Sequence, residues 1–342
     1  MGSHNLLKDL VMRGQTRKKK ANIIQIENPN KIVESCFEEI GGIEQWITIR
    51  GEDYNNPILL FIHGGPGSTY SIFTPLLRSW EKFFTVVQWD QRGAGKTFRK
   101  NGKEACGAIT FERLTQDGIE VAEYLCKIIG QPKVILIGSS VGSLIGLMMA
   151  KQRPDLFWAY VSTDQNAPDL KGRLYTLTLD ALKKGGVSKG VKFVERMGPN
   201  PSDWTRKDYE KKNRFLVKAI RGVPNMVTDL ILPSLVSSPD HTVNDIVDYL
   251  KGMSFSLDHL YKELVPFDFN KIGRSFELPF FIFQGDSDII TPTELAKDYF
   301  DDILAPYKEF VSIKNAGHLA CFAQPNQFLG ELTERVLPLI IT

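Results

Sequence analysis

The chain has 342 residues, 42% of them hydrophobic and 21 of them phenylalanine, enough for one large α/β domain with an inserted segment and an extensive core. Its formal charge of +2 is uneven: Lys8, Arg13, Arg17, Lys18, Lys19 and Lys20 against Asp9 give the first twenty residues +5, which leaves −3 for everything after. That balance excludes a nucleic-acid binder by charge, and no apolar run approaches the ~20 residues that cross a bilayer.

In chain order, residues 1–31 read as an N-terminal extension without a signal-peptide apolar region. Leu6, Leu7, Leu10 and Val11 beside the basic run fit a tail that is mobile or docked on the body, with a short amphipathic helix at a membrane surface as the alternative. Ile32–Phe37 and Ile43–Arg50, separated by Gly41-Gly42, predict an opening antiparallel ribbon. Strands are then predicted at Ile58–His63, Phe84–Asp90, Val134–Gly138, Trp158–Ser162, Pro279–Gly285 and Glu309–Ile313. Helical patterns at Phe111–Ile129 and Val141–Gln152 separate them. The expected class is therefore α/β, a mostly parallel doubly wound sheet.

Between Asp164 and Lys271 the strand signal vanishes, with Pro199-Asn200-Pro201 and Gly222-Val223-Pro224 as breakers. The expected organisation is a core over 32–163 and 272–342 with a helical cap over 164–271. A cap roofs a site and shapes its pocket. Phe193, Met197, Trp204, Tyr209, Phe215, Met226, Met253, Phe255 and Tyr261 are the large residues available to line it, most of them expected in the cap's own core. Cys36, Cys106, Cys126 and Cys321 show no C-x-x-C spacing, so reduced thiols and a cytoplasmic location are expected. The alternative is a protein anchored through a segment preceding this sequence.

The chemistry concentrates at Gly138-Ser139-Ser140-Val141-Gly142, a G-x-S-x-G pentapeptide between an apolar strand and a helix. A serine on so tight a turn is held in strained geometry with its hydroxyl above the sheet, so Ser140 is the candidate nucleophile. A serine hydroxyl needs a base, an orienting acid and oxyanion donors. His318, on a loop after the last strand, is the candidate base; His4, His241 and His259 read as surface residues. Asp286 or Asp288 follows the Phe280–Gly285 run, and Asp288 is preferred, with Asp286 capping the turn and Ile289 and Ile290 returning to the core. The glycine loop His63-Gly64-Gly65-Pro66-Gly67 offers backbone donors: Val141 and Gly65 N–H are the expected oxyanion pair, Gly64 is second choice, and His63 props the loop.

Together with Trp89-Asp90-Gln91-Arg92-Gly93-Ala94-Gly95-Lys96-Thr97, these motifs resemble the proline iminopeptidase (prolyl aminopeptidase) branch of the α/β-hydrolases. The resemblance covers roughly Ile32–Thr163 and Ile272 to the end. It implies a Ser140–His318–Asp288 triad, a Gly65/Val141 oxyanion hole, no metal and no cofactor. The chain departs from the family at Val141, where a tryptophan is usual, and in lacking the W-x-x-W-E cap pattern that holds a substrate amine. Glu195, Glu210 and Trp204 are the nearest cap candidates for substrate binding, in segments rich in lysine and arginine that otherwise read as solvated helix faces.

Three functions follow as alternatives. One is a peptidase releasing an N-terminal residue, proline foremost; another is an esterase, amidase, lactonase or thioesterase for a small hydrophobic acyl group. The third is a non-catalytic ligand-binding scaffold on the same fold. The expected partner is a small molecule or short peptide, and activity is expected to rise through ~6.5 unless Asp288 raises the histidine pKa.

Overall fold

The computed structural model describes residues 12–340. His4, Leu6, Leu7, Leu10 and Val11 lie outside the described residues. Strands β1 (Ile32–Ile40), β2 (Ile43–Gly51), β3 (Ile58–Ile62), β4 (Thr85–Asp90), β5 (Val134–Ser139), β6 (Phe157–Thr163), β7 (Phe280–Gly285) and β8 (Lys308–Ile313) form a sheet in the order β1-β2-β4-β3-β5-β6-β7-β8. β1 pairs antiparallel with β2, and β2 antiparallel with β4. From β4 to β8 all pairings are parallel.

The central strands read as unbroken apolar runs because both of their faces are covered. In β3, Ile58, Leu60 and Ile62 pack on one side and Leu59 and Phe61 on the other, the period of two that a strand imposes. β7 repeats this with Phe280 and Ile282 against Phe281 and Phe283. The first layer includes α3 (Phe111–Ile129) and α4 (Val141–Gln152), which follow α2 (Gly95–Ala105) in the chain. The opposite layer is aromatic: Phe73 stacks on Phe322 at 3.9 Å and Trp80 on Phe328 at 5.4 Å between ring centroids.

Between β6 and β7 the described chain is helical, with α5 (Leu174–Lys184), α6 (Ser188–Met197), α7 (Arg206–Ala219), a π-turn at Met226–Ile231, α8 (Leu232–Ser237), α9 (Val243–Leu264) and α10 (Phe269–Ile272). Helices α5 to α7 close on their own cluster of Leu182, Phe193, Val194, Leu216 and Ala219. Helix α9 instead lies on the sheet domain, where Ser256 Oγ donates to the Gly93 carbonyl (3.0 Å), Tyr249 Oη meets Ser68 Oγ (3.2 Å) and Asp245 pairs with Arg99 (2.8 Å).

The basic N-terminal run is a docked helix, α1 (Arg13–Ile23). Arg13 donates to the carbonyls of Val236 (2.9 Å) and His241 (3.1 Å), and Arg17 to those of Ser238 (2.9 Å) and Pro239 (2.8 Å). These carbonyls cluster at and just beyond the end of α8, where the helix dipole is negative and a cation is favoured. Much of the charge that sets the N-terminus apart in the sequence is thus engaged inside the molecule.

Candidate active site

β5 runs into α4 through Ser140, whose backbone sits at φ 54°, ψ −125°, a region L-residues avoid. The flanking glycines make that turn possible. A Cβ on Gly142 would lie 2.1 Å from the Ile62 carbonyl oxygen, and one on Gly64 would lie 2.6 Å from Ser140 Cβ. The strand ends of β3 and β5 therefore close on each other only because neither carries a side chain there.

His318 and Asp288 come to the same place from the loops after β8 and β7. Ser140 Oγ is 3.1 Å from His318 Nε2, and His318 Nδ1 is 2.9 Å from Asp288 Oδ2. Asp288 is held by the N–H groups of Ile290 (2.8 Å) and Thr291 (3.1 Å) on Oδ1 and by Thr291 Oγ1 (2.8 Å) on Oδ2. Asp286 is exposed and accepts from Asn315 N–H (3.2 Å) and Ser287 Oγ (3.0 Å). Ile289 and Ile290 do not return to the sheet core as expected. They are partly buried against the cluster of α5 to α7, because Asp288 Oδ1 turns the chain outward by accepting from the N–H groups of Ile290 and Thr291.

A second carboxylate, which sequence reasoning missed, lies beside the pair. Asp164, just after β6 with φ 53°, is fully buried and accepts from Ser139 Oγ (2.9 Å) and Ala320 N–H (3.0 Å). Ser139 Oγ in turn meets Tyr70 Oη at 2.8 Å. Burial raises the Asp164 pKa. For His318, burial alone would lower the pKa, but the charge and hydrogen bond of Asp288, joined by the charge of Asp164, raise it to about 9. Ligand atoms of Asp164, Asp288 and His318 lie within 4.8 Å of one another, close enough to surround a cation. The carboxylate oxygens already accept from Ser139, Ala320, Ile290 and Thr291, so the cluster is built as a hydrogen-bonded acid–base group.

Gly65 and Val141 line the cavity in front of Ser140. Gly64 does not fit its second-choice role, because its N–H is engaged by Tyr70 Oη (3.3 Å). His63 is buried and props the loop. Its Nε2 accepts from Gln91 N–H (3.1 Å), so Nδ1 carries the proton and donates to the Gly64 carbonyl (2.9 Å). Burial lowers its pKa to about 4, which keeps the ring neutral. The Trp89–Thr97 motif is scaffold of the same kind. Gln91 Nε2 donates to the His63 carbonyl (2.9 Å), and Arg92 makes a buried pair with Asp117 (2.9 Å).

A cavity of about 830 Å³ opens above Ser140. Of the large residues proposed for its wall, Trp204, Tyr209, Met226 and Met253 line it. Phe193, Met197 and Phe215 belong to the cluster of α5 to α7, Phe255 packs on Phe98, and Tyr261 donates to the Trp204 carbonyl from behind. Glu210 lines the cavity but pairs with Arg206 (3.0 Å), while Glu195 is exposed on α6 and is not part of the wall. One sequence expectation of exposure is overturned. His241 is buried, with Ser238 Oγ at 2.8 Å and Ser71 Oγ at 3.3 Å, because the segment after α8 folds under α1. Lys212, which the sequence does not single out, is 5% exposed and lines the cavity.

The sequence matches the alpha/beta hydrolase fold family over residues 57–325, and the chain belongs to that family. It is 30% identical over 302 residues to the probable aminopeptidase YbaC of Bacillus subtilis (strain 168), covering 86% of this chain and 93% of that one. It is 23% identical over 296 residues to the proline iminopeptidase of Lactobacillus delbrueckii subsp. bulgaricus, covering 85% and 93%. The crystal structure of a proline iminopeptidase-related protein from Thermus thermophilus shares the fold, with a TM-score of 0.58 at 17% identity over 91% of this chain and 99% of that one. The resemblance read from the motifs is borne out, and the chain is a hydrolase. No helix among the described residues is long and apolar enough to cross a membrane.

Proposed function

We propose that the chain is a serine hydrolase that works by acyl transfer from Ser140 and releases an N-terminal residue, proline foremost, from short peptides. The observation that carries the chemistry is the line from Ser140 Oγ to His318 Nε2 (3.1 Å) and from His318 Nδ1 to Asp288 (2.9 Å). His318 takes the Ser140 proton as Oγ attacks the carbonyl carbon, and Asp288 fixes the imidazole tautomer and stabilises the imidazolium. The N–H groups of Gly65 and Val141 receive the oxyanion, each worth ~3 kcal/mol in the transition state. His318 then protonates the departing amine and activates the water that releases the acyl group. The peptide substrate is supported by the relatives' names. The four cysteines are free thiols, which suits a reducing compartment such as the cytoplasm.

A second reading, hydrolysis of a small ester or amide without an amine requirement, is favoured by one observation: Glu210, the acid in the cavity wall on α7, is already paired with Arg206. The two readings separate on kcat/KM for a proline arylamide and its N-acetyl analogue. An aminopeptidase loses on the order of 2–5 kcal/mol of transition-state binding, roughly a hundredfold or more in rate, when the amine is blocked. Indifference to acetylation rejects the aminopeptidase reading.

The base must be neutral to act, so its raised pKa sets the acidic limb of the profile. With His318 raised to about 9, kcat/KM is expected to climb through the alkaline range rather than level off near the ordinary imidazole value. Asp164→Asn removes one of the two charges that hold the proton and shifts the limb to lower pH. A wild-type limb that saturates by about pH 7 contradicts this account. The linked stability has a definite sign: protonated His318 stabilises the fold fully below ~6.5, and that contribution fades as pH rises through about 9.

A further inference from the structure

Lys212 is on α7, with its ammonium 5.3 Å from the Trp204 ring centroid and 5.2 Å from that of Tyr209. It lines the same cavity as Ser140 and His318 and is 5% exposed. Among the described residues, no hydrogen bond or ion pair neutralises it. The two acids that line the same cavity are occupied: Glu210 by Arg206 (3.0 Å), and Asp169 by the N–H groups of Arg173 (2.7 Å) and Leu174 (3.0 Å). Burial, acting alone, lowers its pKa to about 8, so it is cationic at neutral pH. Asn166 lines the same cavity, and its Nδ2 is buried without an acceptor. Both unmet groups are donors.

A buried ammonium without a counter-charge is a costly feature, and two aromatic faces replace only part of its lost hydration. A substrate anion would supply the rest. The surroundings are largely apolar, and of the three lysine and arginine cations that line the cavity only Lys212 is buried, Arg214 and Lys218 being exposed and hydrated, so a monoanion matches the one charge that has lost its water.

We propose that Lys212 receives a carboxylate of the substrate, so that the site selects short substrates bearing one free carboxylate, foremost dipeptides whose terminal carboxylate leaves with the second residue. The proposal rests on the acyl-transfer reading of Ser140 and names the substrate class that reading leaves open. It also gives α7 a role opposite in sign to the one expected of Glu210: the helix presents a cation to the substrate's acidic end.

The test compares matched pairs. Prolylglycine against prolylglycinamide places the charge on the leaving side, and p-nitrophenyl hydrogen adipate against p-nitrophenyl hexanoate places it on the acyl side. Wild type is expected to prefer the carboxylate member of at least one pair by about tenfold to a hundredfold in kcat/KM, the range for a hydrogen bond to a charged group. That ratio should collapse in Lys212→Met and be largely retained in Lys212→Arg. A ratio that is the same in wild type and Lys212→Met overturns the proposal and leaves Lys212 as a clamp between two rings. Should Lys212→Met not fold, wild type decides: no preference for either carboxylate overturns the proposal equally. Labelling of Ser140 by an organophosphate is followed in parallel. Labelled enzyme without carboxylate preference sinks only the Lys212 assignment. Unlabelled Ser140 in an enzyme that still prefers the carboxylate sinks the acyl-transfer reading instead.

Discussion

Ser140→Ala is expected to abolish turnover of every substrate, with a fall in kcat on the order of 10⁶, and to abolish labelling by an organophosphate. The loss is confined to chemistry, because alanine keeps the Cβ and the Oγ touches only His318 among the contacts that matter to the fold. Ser140→Gly separates the two costs. It is equally inactive, but it relieves a backbone held at φ 54°, ψ −125°, a strain of about 1–3 kcal/mol that serine endures and glycine does not. Thermal melts should therefore rank Ser140→Gly above wild type while activity assays rank both variants at background. Retained labelling on another serine would refute the nucleophile assignment. A melting temperature unchanged in the glycine variant would show that the turn is not strained.

The nucleophile, base and acid are legible in the sequence because each sits where a local backbone pattern forces it. Ser140 lies between an apolar strand and a helix with glycines two residues to either side, and His318 and Asp288 follow apolar strands on short loops. Such patterns need no knowledge of what lies across the sheet. Asp164 has no such signature: it is an ordinary polar residue after Val161-Ser162-Thr163, and its importance comes from Ser139, Ala320 and His318, which other segments deliver. Lys212 escapes a sequence reading for the same reason. In Lys211-Lys212-Asn213-Arg214 nothing distinguishes it from its charged neighbours, and only the packing of Trp204 and Tyr209 around it decides that it is buried. His241 is buried because α1 closes over the segment that carries it, a contact between Arg13 and His241 at opposite ends of the chain's first two thirds. Periodicity reports which face of an element is apolar, and it is silent on which polar residue a distant element covers.

Asp288→Asn is expected to lower kcat by about 10⁴, because an amide at that position no longer holds the tautomer in which Nδ1 is protonated and leaves the imidazolium of the transition state without its counter-charge. Asp286→Asn, two residues away, should cost no more than a few-fold. Its carboxylate is exposed, and its hydrogen bonds to Asn315 and Ser287 secure a turn rather than the imidazole. Asp164→Asn differs from both in acting on the pH profile. The amide oxygen can still accept from Ala320 N–H, and the amide nitrogen can donate to Ser139 Oγ, whose own proton then turns to Tyr70 Oη. The network survives with one charge fewer, so the variant should keep most of its kcat and show the acidward shift of the pH limb. Steady-state profiles of the three asparagine variants decide between the carboxylates. If Asp164→Asn proved the most damaging, the orienting acid would lie at the end of β6 and Asp288 would be its support; if Asp286→Asn did, the loop after β7 would present a different oxygen to His318 in the working enzyme than the 2.9 Å contact from Asp288.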